Sequence, residues 1–424
     1  MIIANISTPL LGLVDTAVMG HLDNASFLAA VALAGLIFNF LFWGFGFLRM
    51  GTAGLSAQAF GANNTLELNA ILLRAMVLAV SISFLLLVFQ QSIAAFSFYL
   101  INCNDSIEPL AQQYFYIRIW SAPACLCQYV ILGWFLGRQN TTSPLLIVVT
   151  TNACNICLDL LFVVHYGMNT EGVALASVLA EYIGLIFGVL LVIRNIPVSS
   201  LSLSWPHLLQ ADKIKAMLLI NGHLSVRTLC LIFTFSFFTV QGAKFGSAIL
   251  AANAILMNFQ TFMAYALDGF AHAAEALIGR ALGAKNKILF QQSIKTTALW
   301  SLLVALLFTL TFNFAGQDII NSLTHLTEVR EPAYEYLPWL IALPLISFSS
   351  FLLDGVFIGA TLSRQMRDCI LLSLFLVFLP SWYYTQDLAN HGLWLALSLF
   401  MLMRTLIMLG YYLYYQRSIM QSLA

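Results

Sequence analysis

Apolar residues fill this chain in long stretches, and short polar breaks divide it into twelve segments: roughly 1 to 22, 27 to 60, 67 to 100, 108 to 137, 143 to 165, 172 to 194, 213 to 241, 246 to 283, 288 to 316, 329 to 360, 368 to 386 and 392 to 416. A helix needs about 20 apolar residues to cross the hydrocarbon core of a bilayer. Each segment therefore predicts one spanning helix. The breaks carry turn chemistry, as in His21-Leu22-Asp23-Asn24, Gly61-Ala62-Asn63-Asn64, Asn102-Cys103-Asn104-Asp105, Gln139-Asn140-Thr141-Thr142 and Thr385-Gln386-Asp387. Several runs exceed 30 residues, which at about 1.5 Å per residue gives about 45 to 50 Å, so those helices are expected to tilt or protrude.

Composition removes the alternative of a water-soluble globule. Of 424 residues, 61% are hydrophobic and 8% are charged, against about 25% charged in soluble domains. The 18 basic and 18 acidic residues balance, leaving no cationic excess to hold a nucleic acid. The placement of the basic residues orients the chain. Arg138, Arg194, Lys213, Lys215, Arg280, Lys285, Lys287, Arg364, Arg367 and Arg417 fall on the side of the even-numbered connections and the C-terminus, and only Lys244 and Arg330 on the other. The positive-inside rule then puts both termini in the cytoplasm. Acidic residues in the outer connections, Asp23, Asp105, Glu108, Glu171 and Glu328 among them, read as ordinary solvated loops. Met1 leads straight into Ile2-Ile3-Ala4 with no basic region, so no cleavable signal peptide is expected. The seven cysteines, including Cys154-x-x-Cys157 in an uncharged run, read as small core residues and no structural metal site is expected.

Sliding the chain against itself exposes a repeat. Residues 28 to 64 align without gaps on 250 to 286, at an offset of 222 and with 10 identities in 37 positions. The same offset superposes Gly133-Trp-Phe-Leu-Gly137 on Gly355-Val-Phe-Ile-Gly359, and an offset of 220 pairs Gly172-Val-Ala-Leu-Ala176 with Gly392-Leu-Trp-Leu-Ala396. The expected architecture is an all-α polytopic membrane protein of twelve transmembrane helices in two six-helix lobes. Because six is even, the repeat is parallel, the plan of many secondary transporters. Its boundaries are 1 to 194 for the N-lobe, 195 to 212 for a cytoplasmic linker with Asn195-Ile196-Pro197 and Trp205-Pro206, and 213 to 424 for the C-lobe. The seventh segment is led in by Asp212-Lys213-Ile214-Lys215. By the offset, its counterpart falls before Met1, so the first helix is expected to begin about ten residues upstream.

Charges inside spanning segments cost about 2.5 to 3.5 kcal/mol each on insertion scales and are functional candidates by default. Asp15 lies in the first segment, Asp159 in the fifth with Asn155 four residues earlier, and Glu181 in the sixth with Ser177 one turn before it. Asp268, His272 and Glu275 fall at i, i+4 and i+7 of the eighth, and Asp354 in the tenth. Arg49, Arg118, Arg227 and Arg404 are the candidate counter-charges. At the offset of 222, Asp15 meets Phe237, Asp159 meets Ser381, Asp268 meets Gly46, Glu275 meets Ala53 and Asp354 meets Leu132. The scaffold repeats and the carboxylates do not, which points to a division of labour or to ion pairs private to each lobe. Intramembrane carboxylates are suited to proton or cation exchange, because a dry environment favours the protonated form and water or a cation favours the ionised one. Asp15, Asn155, Asp159 and Ser177 would offer hard oxygen ligands to a small cation if their helices converge.

Three stretches carry a resemblance. The run Asn5-Ile6-Ser7-Thr8-Pro9-Leu10-Leu11-Gly12-Leu13-Val14-Asp15-Thr16-Ala17-Val18-Met19-Gly20-His21-Leu22, the segment Phe47-Leu48-Arg49-Met50-Gly51-Thr52-Ala53-Gly54-Leu55-Ser56-Ala57-Gln58-Ala59 and the segment Ala266-Leu267-Asp268-Gly269-Phe270 resemble the multidrug and toxic compound extrusion (MATE) family, specifically its DNA-damage-inducible F branch. The resemblance implies an exporter of organic cations or toxic amphiphiles that works by antiport with protons or sodium ions, needs no cofactor beyond that coupling ion, and sits in the bacterial inner membrane. It also implies that Asp15 is the protonated aspartate, and that Asn155 and Asp159 match the Asn-x-x-x-Asp pattern of the cation site. Ser177 stands where relatives often place a threonine. The C-lobe acids are less clearly matched.

Other classes fit less well. A flippase for a lipid-linked oligosaccharide needs a strongly cationic cavity, and the four intramembrane arginines are partly balanced by acids. There is no His-Glu-x-x-His and no Gly-x-Ser-x-Gly to mark an intramembrane enzyme. A ring of charges, as in a channel, is also missing. Substrates are expected to be small amphiphiles or cations met by aromatic and methionine side chains, and the chain is expected to act as a monomer in the bilayer.

Overall fold

The computed structural model describes residues 25–101, 107–196 and 208–422, with side chains to 415. The first predicted segment, and Asp15 with it, lies outside the described residues, as does most of the linker. Every regular element among the described residues is helical. Eleven are long and apolar enough to cross a membrane: α1 (Ser26–Gly61), α2 (Thr65–Val88), α3 (Glu108–Gly137), α4 (Thr142–His165), α5 (Thr170–Asn195), α6 (Ala211–Ala243), α7 (Ser247–Gly283), α8 (Lys287–Leu323), α9 (Thr327–Gly359), α10 (Ser363–Tyr384) and α11 (Gln386–Tyr415). They answer to predicted segments two to twelve. Lipid-facing positions are apolar, with Val77, Phe84, Phe314 and Leu376 all well exposed on the protein surface, as expected where the solvent is hydrocarbon.

The described chain divides into two units, residues 25–56 with 64–218 and residues 57–63 with 219–422. The first turns of α6 therefore belong to the first unit. Glu67 of α2 explains why: its Oε1 lies 2.9 Å from Arg74 Nη1 and 3.6 Å from Lys213 Nζ, while Arg74 Nε donates to the Leu208 carbonyl at 3.0 Å.

Within each unit the same helix crossing recurs. A Cβ built on Gly133 of α3 would overlap the Arg49 carbonyl of α1, and one built on Gly355 of α9 would overlap the Ala271 carbonyl of α7. Both pairs, 133 with 355 and 49 with 271, are related by the offset of 222. Backbone contact this close needs glycine, and in lipid, where burying apolar surface between helices gains little, it is the packing that holds helices together. The repeat extends to the turns. Asn63 and Lys285 have φ of 54° and 51°, and Gln139 and Thr361 have φ of 61° and 56°, again 222 apart. These are left-handed helix-terminating residues. Asn140 N donates to Phe135 O at 3.0 Å and Leu362 N to Phe357 O at 2.8 Å, satisfying the last carbonyls. The next helices begin alike, with Asn64 Oδ1 accepting from Glu67 N and Asn286 Oδ1 from Leu289 N, both at 2.9 Å.

The largest fully buried side chains include one tryptophan in each unit. Trp134 donates to the Leu68 carbonyl at 3.0 Å. Trp394 donates to Asn253 Oδ1 at 2.9 Å, and Asn253 exchanges two hydrogen bonds with Asn390 at 2.8 and 3.0 Å. In the same unit Asp354 of α9 takes both Arg227 of α6 and Arg404 of α11 on one oxygen, the latter at 2.8 Å. All three residues are buried, so one carboxylate fastens three helices.

Gly133→Val and Gly355→Val should each cost about 1–3 kcal/mol or more through overpacking and lower the thermal midpoint of the detergent-solubilised protein by similar amounts. Gly35→Ala, where a Cβ meets nothing within 4 Å, should instead be neutral or gain up to about 1 kcal/mol. Asp354→Asn strands two guanidinium groups and should cost about 3–5 kcal/mol, read as a fall in midpoint and in monodisperse yield; a midpoint equal to wild type would remove the triad from the forces holding α6, α9 and α11.

Candidate functional site

The polar residues of the first unit gather where α4 and α5 pack together. On α4, Thr151, Asn155 and Asp159 stand four residues apart and are all buried, with Asp159 fully so. Their spacing places them on one face over about 12 Å. On α5, Ser177 and Glu181 are likewise four apart. Asn155 Nδ2 donates to Ser177 Oγ at 3.4 Å. Asn155 Oδ1 is buried and accepts no hydrogen bond among the described residues. An amide oxygen left in that condition away from water costs free energy unless a proton donor or cation meets it. Immediately after Asp159 the helix widens into a π-turn over Leu160–His165, closed by Tyr166 N donating to Leu161 O at 3.0 Å. Such widenings are frequent at functional sites. Of the four residues expected to form a coupling site, the structure brings Asn155, Asp159 and Ser177 to one helix contact; Asp15 is outside the described residues.

One turn further along this contact lies Glu181, with the candidate counter-charge Arg118 and with Gln128 and Thr151, which sequence reasoning passed over. Gln128 of α3 donates through Nε2 to Glu181 Oε2 at 2.8 Å and to the Glu181 carbonyl at 2.7 Å. Arg118 Nη2 stands 3.7 Å from Glu181 Oε1, and its guanidinium lies 5.8 and 5.6 Å from the ring centres of Phe38 and Phe42. Thr151 Oγ1 approaches Gln128 Oε1 at 3.5 Å. Gly184 of α5 allows this, because a Cβ there would overlap Thr151 Oγ1. The i, i+4 spacing of Thr151 and Asn155 was the available signal, and Thr151 lay on the stripe all along.

In the second unit the candidates separate. His272 Nδ1 and Glu275 Oε2 of α7 are 3.6 Å apart and both buried, while Asp268 is only partly buried. Asp354 belongs to the arginine triad, so Arg227 and Arg404 act as its counter-charges, as Arg118 does for Glu181. Arg49 is partly buried in α1, where its carbonyl receives Gly133.

Comparison with known proteins identifies the family and the fold. The family profile described as MatE matches the chain twice, over residues 1–161 and 224–384, so the two matches repeat the two-lobe division. DNA damage-inducible protein F of Escherichia coli (strain K12) is 40% identical over 416 residues, covering 96% of this chain and 88% of the relative. Protein DETOXIFICATION 44, chloroplastic, of Arabidopsis thaliana is 27% identical, covering 93% of this chain and 77% of the relative. The crystal structure of the Vibrio cholerae MATE transporter VcmN in the bent form superposes with a TM-score of 0.85 at 21% identity, covering 100% of this chain and 95% of that one. A second MATE crystal structure, in complex with MaD3S, has a TM-score of 0.86 at 17% identity. With the family profile covering most of its length and the fold shared throughout, the chain belongs to the MatE family of multidrug and toxic compound extrusion transporters, integral membrane proteins that move small organic substrates and are not enzymes.

Proposed function

We propose that this protein exports organic cations or other toxic amphiphiles in exchange for protons or sodium ions, and that Asp15, Asn155, Asp159 and Ser177 form the coupling site of the N-lobe. The observation that carries the reading is the α4/α5 contact. Asp159 is fully buried, and one turn away Asn155 Oδ1 accepts no hydrogen bond among the described residues. A carboxylate with a vacant amide oxygen and a serine hydroxyl is a donor set for a small hard cation; with a proton on the carboxyl group, the same set exchanges hydrogen bonds internally. Either ion lowers the site's negative charge by one, and its departure restores it, which ties the site's hydration to the conformation of the lobe. The coupling ion takes the place of any cofactor. On this reading the protein works as a monomer in a bacterial inner membrane with both termini cytoplasmic, an orientation that the bias of its basic residues supports.

The pairing of the arginines weighs against a flippase for a pyrophosphate-linked sugar. Arg118 faces Glu181, and Arg227 and Arg404 share Asp354, so three of the four intramembrane arginines already have carboxylate partners.

The test is gradient-driven uptake of ethidium into proteoliposomes, with proton and sodium gradients imposed separately. Asp15→Asn and Asp159→Asn should abolish uptake driven by the coupling ion while leaving the thermal midpoint intact. Asn155→Ala should reduce it about tenfold, the order seen for groups that support a bound cation. Undiminished uptake by the Asp159→Asn protein would remove this site from the coupling mechanism.

A further inference from the structure

Glu181 is the twelfth residue of the 26-residue α5, which puts it near the middle of the membrane span. A carboxylate at that depth is costly unless it is paired or protonated, and its pairing here is loose. Arg118 Nη2 stands 3.7 Å from Oε1, beyond the range of about 2.7–2.9 Å for a charge-assisted hydrogen bond. The guanidinium is also held independently of the carboxylate, beside the rings of Phe38 and Phe42 and by donation to Ser121 Oγ. Cation–π contacts of this kind hold a guanidinium in place without a carboxylate. Gln128 is anchored through the backbone carbonyl of Glu181 as well as its side chain. Each partner of Glu181 therefore keeps a second attachment if the carboxylate loses its charge.

The surroundings connect Glu181 to the coupling site by two polar routes. Ser177 lies one turn before it on the same face of α5 and accepts from Asn155. Gln128 meets Thr151, one turn before Asn155 on α4. The titratable groups facing Glu181 are Arg118, Cys125 and Tyr129, all from α3. Around them, α4 presents Thr151 and α1 presents the rings of Phe38 and Phe42. Arg118 is thus the charge that meets Glu181 itself, with Arg49 of α1 acting on the neighbouring Tyr129, and the Arg118–Glu181 pair is neutral with Glu181 ionised and carries one positive charge with Glu181 protonated.

From this geometry we propose that Glu181 is a second proton-binding carboxylate of the N-lobe, filled and emptied in the same cycle as Asp159. The proton comes from water, forms an O–H bond on Glu181 Oε1 as the Arg118 contact gives way, and returns to water in the opposite half-cycle; Arg118 keeps its charge throughout. The inference rests on the proton-coupled form of the reading above.

Infrared difference spectra of the reconstituted protein between alkaline and acidic buffer, in light and heavy water, read protonated carboxyl groups directly and need no transport. Glu181→Gln should remove one carboxyl C=O band that Asp159→Asn leaves in place. Glu181→Asp, which keeps the charge, should shift that band, so the assignment does not hang on the folding of the glutamine variant. In proteoliposomes Glu181→Gln should bind ethidium as wild type does, yet take it up several-fold more slowly under a proton gradient and carry fewer protons per substrate. An unchanged band set in both Glu181 variants, or a wild-type proton stoichiometry in Glu181→Gln, overturns the proposal. If Asp159→Asn is inactive while both Glu181 variants match wild type, only this inference fails; if Asp159→Asn retains proton-driven uptake, the reading it rests on fails with it.

Discussion

A charge inside hydrocarbon must be matched within the protein, because no water is there to match it, and the two units of this chain meet that demand in opposite ways. In the second unit two arginines converge on one carboxylate oxygen of Asp354, with all three side chains buried. Two arginines on one oxygen make this knot hard to undo, because loosening either leaves the other in place. In the first unit one arginine stands off from Glu181 at 3.7 Å and leans on two phenylalanine rings. Losing the carboxylate's charge there leaves one guanidinium, which keeps the two rings and Ser121 Oγ. The first arrangement suits a fixed strut, and the second suits a group whose charge changes in use.

The apolar framework makes that difference possible by staying the same in both units. Gly133 on Arg49 and Gly355 on Ala271 bring helix backbones into contact at equivalent points, and the left-handed residues Asn63, Gln139, Lys285 and Thr361 end helices at equivalent points. Close backbone packing of this kind tolerates almost no change in volume. Side chains that project away from the crossings are free of it. Polar groups can therefore be introduced on α4 and α5 without a counterpart on α10 and α11, and Asp159 and its repeat partner Ser381 have diverged in that way.

Most of the framework was legible in the sequence, since spanning segments and the offset of 222 depend on local hydrophobicity and on small residues at fixed spacing. The coming together of Asn155, Asp159 and Ser177 was legible too, through four-residue spacing and the family resemblance. Partner choice was not. Arg118 meets Glu181 from a position just before a 3-10 turn at Ile119–Ser121 within α3, where the four-residue spacing of an α-helix no longer predicts which residues share a face. Asp354 was grouped in the sequence with Asp268, His272 and Glu275 as a C-lobe acid; its position on α9, opposite α6 and α11, gives it to the arginines instead. The π-turn after Asp159 was equally hidden, because no proline or glycine marks residues 160 to 165, and the extra residue is accommodated by hydrogen-bond register alone.

These facts bear on how a proton or cation at Asp159 would be felt elsewhere in the lobe. Asn155 touches Ser177, Thr151 approaches Gln128, and Gln128 holds both the side chain and the backbone of Glu181. The backbone attachment matters most, because a side chain alone can rotate away while a carbonyl moves only with its helix. A change in charge at the α4/α5 contact is thereby coupled to the position of α5 against α3 at the depth of Gly184, where Thr151 and Gln128 already fill the space a Cβ would need. There is no slack at that level for α5 to absorb the change by side-chain rotation, so the response open to it is a displacement of the helix itself, which is the kind of motion an alternating-access transporter has to produce from the binding of one ion.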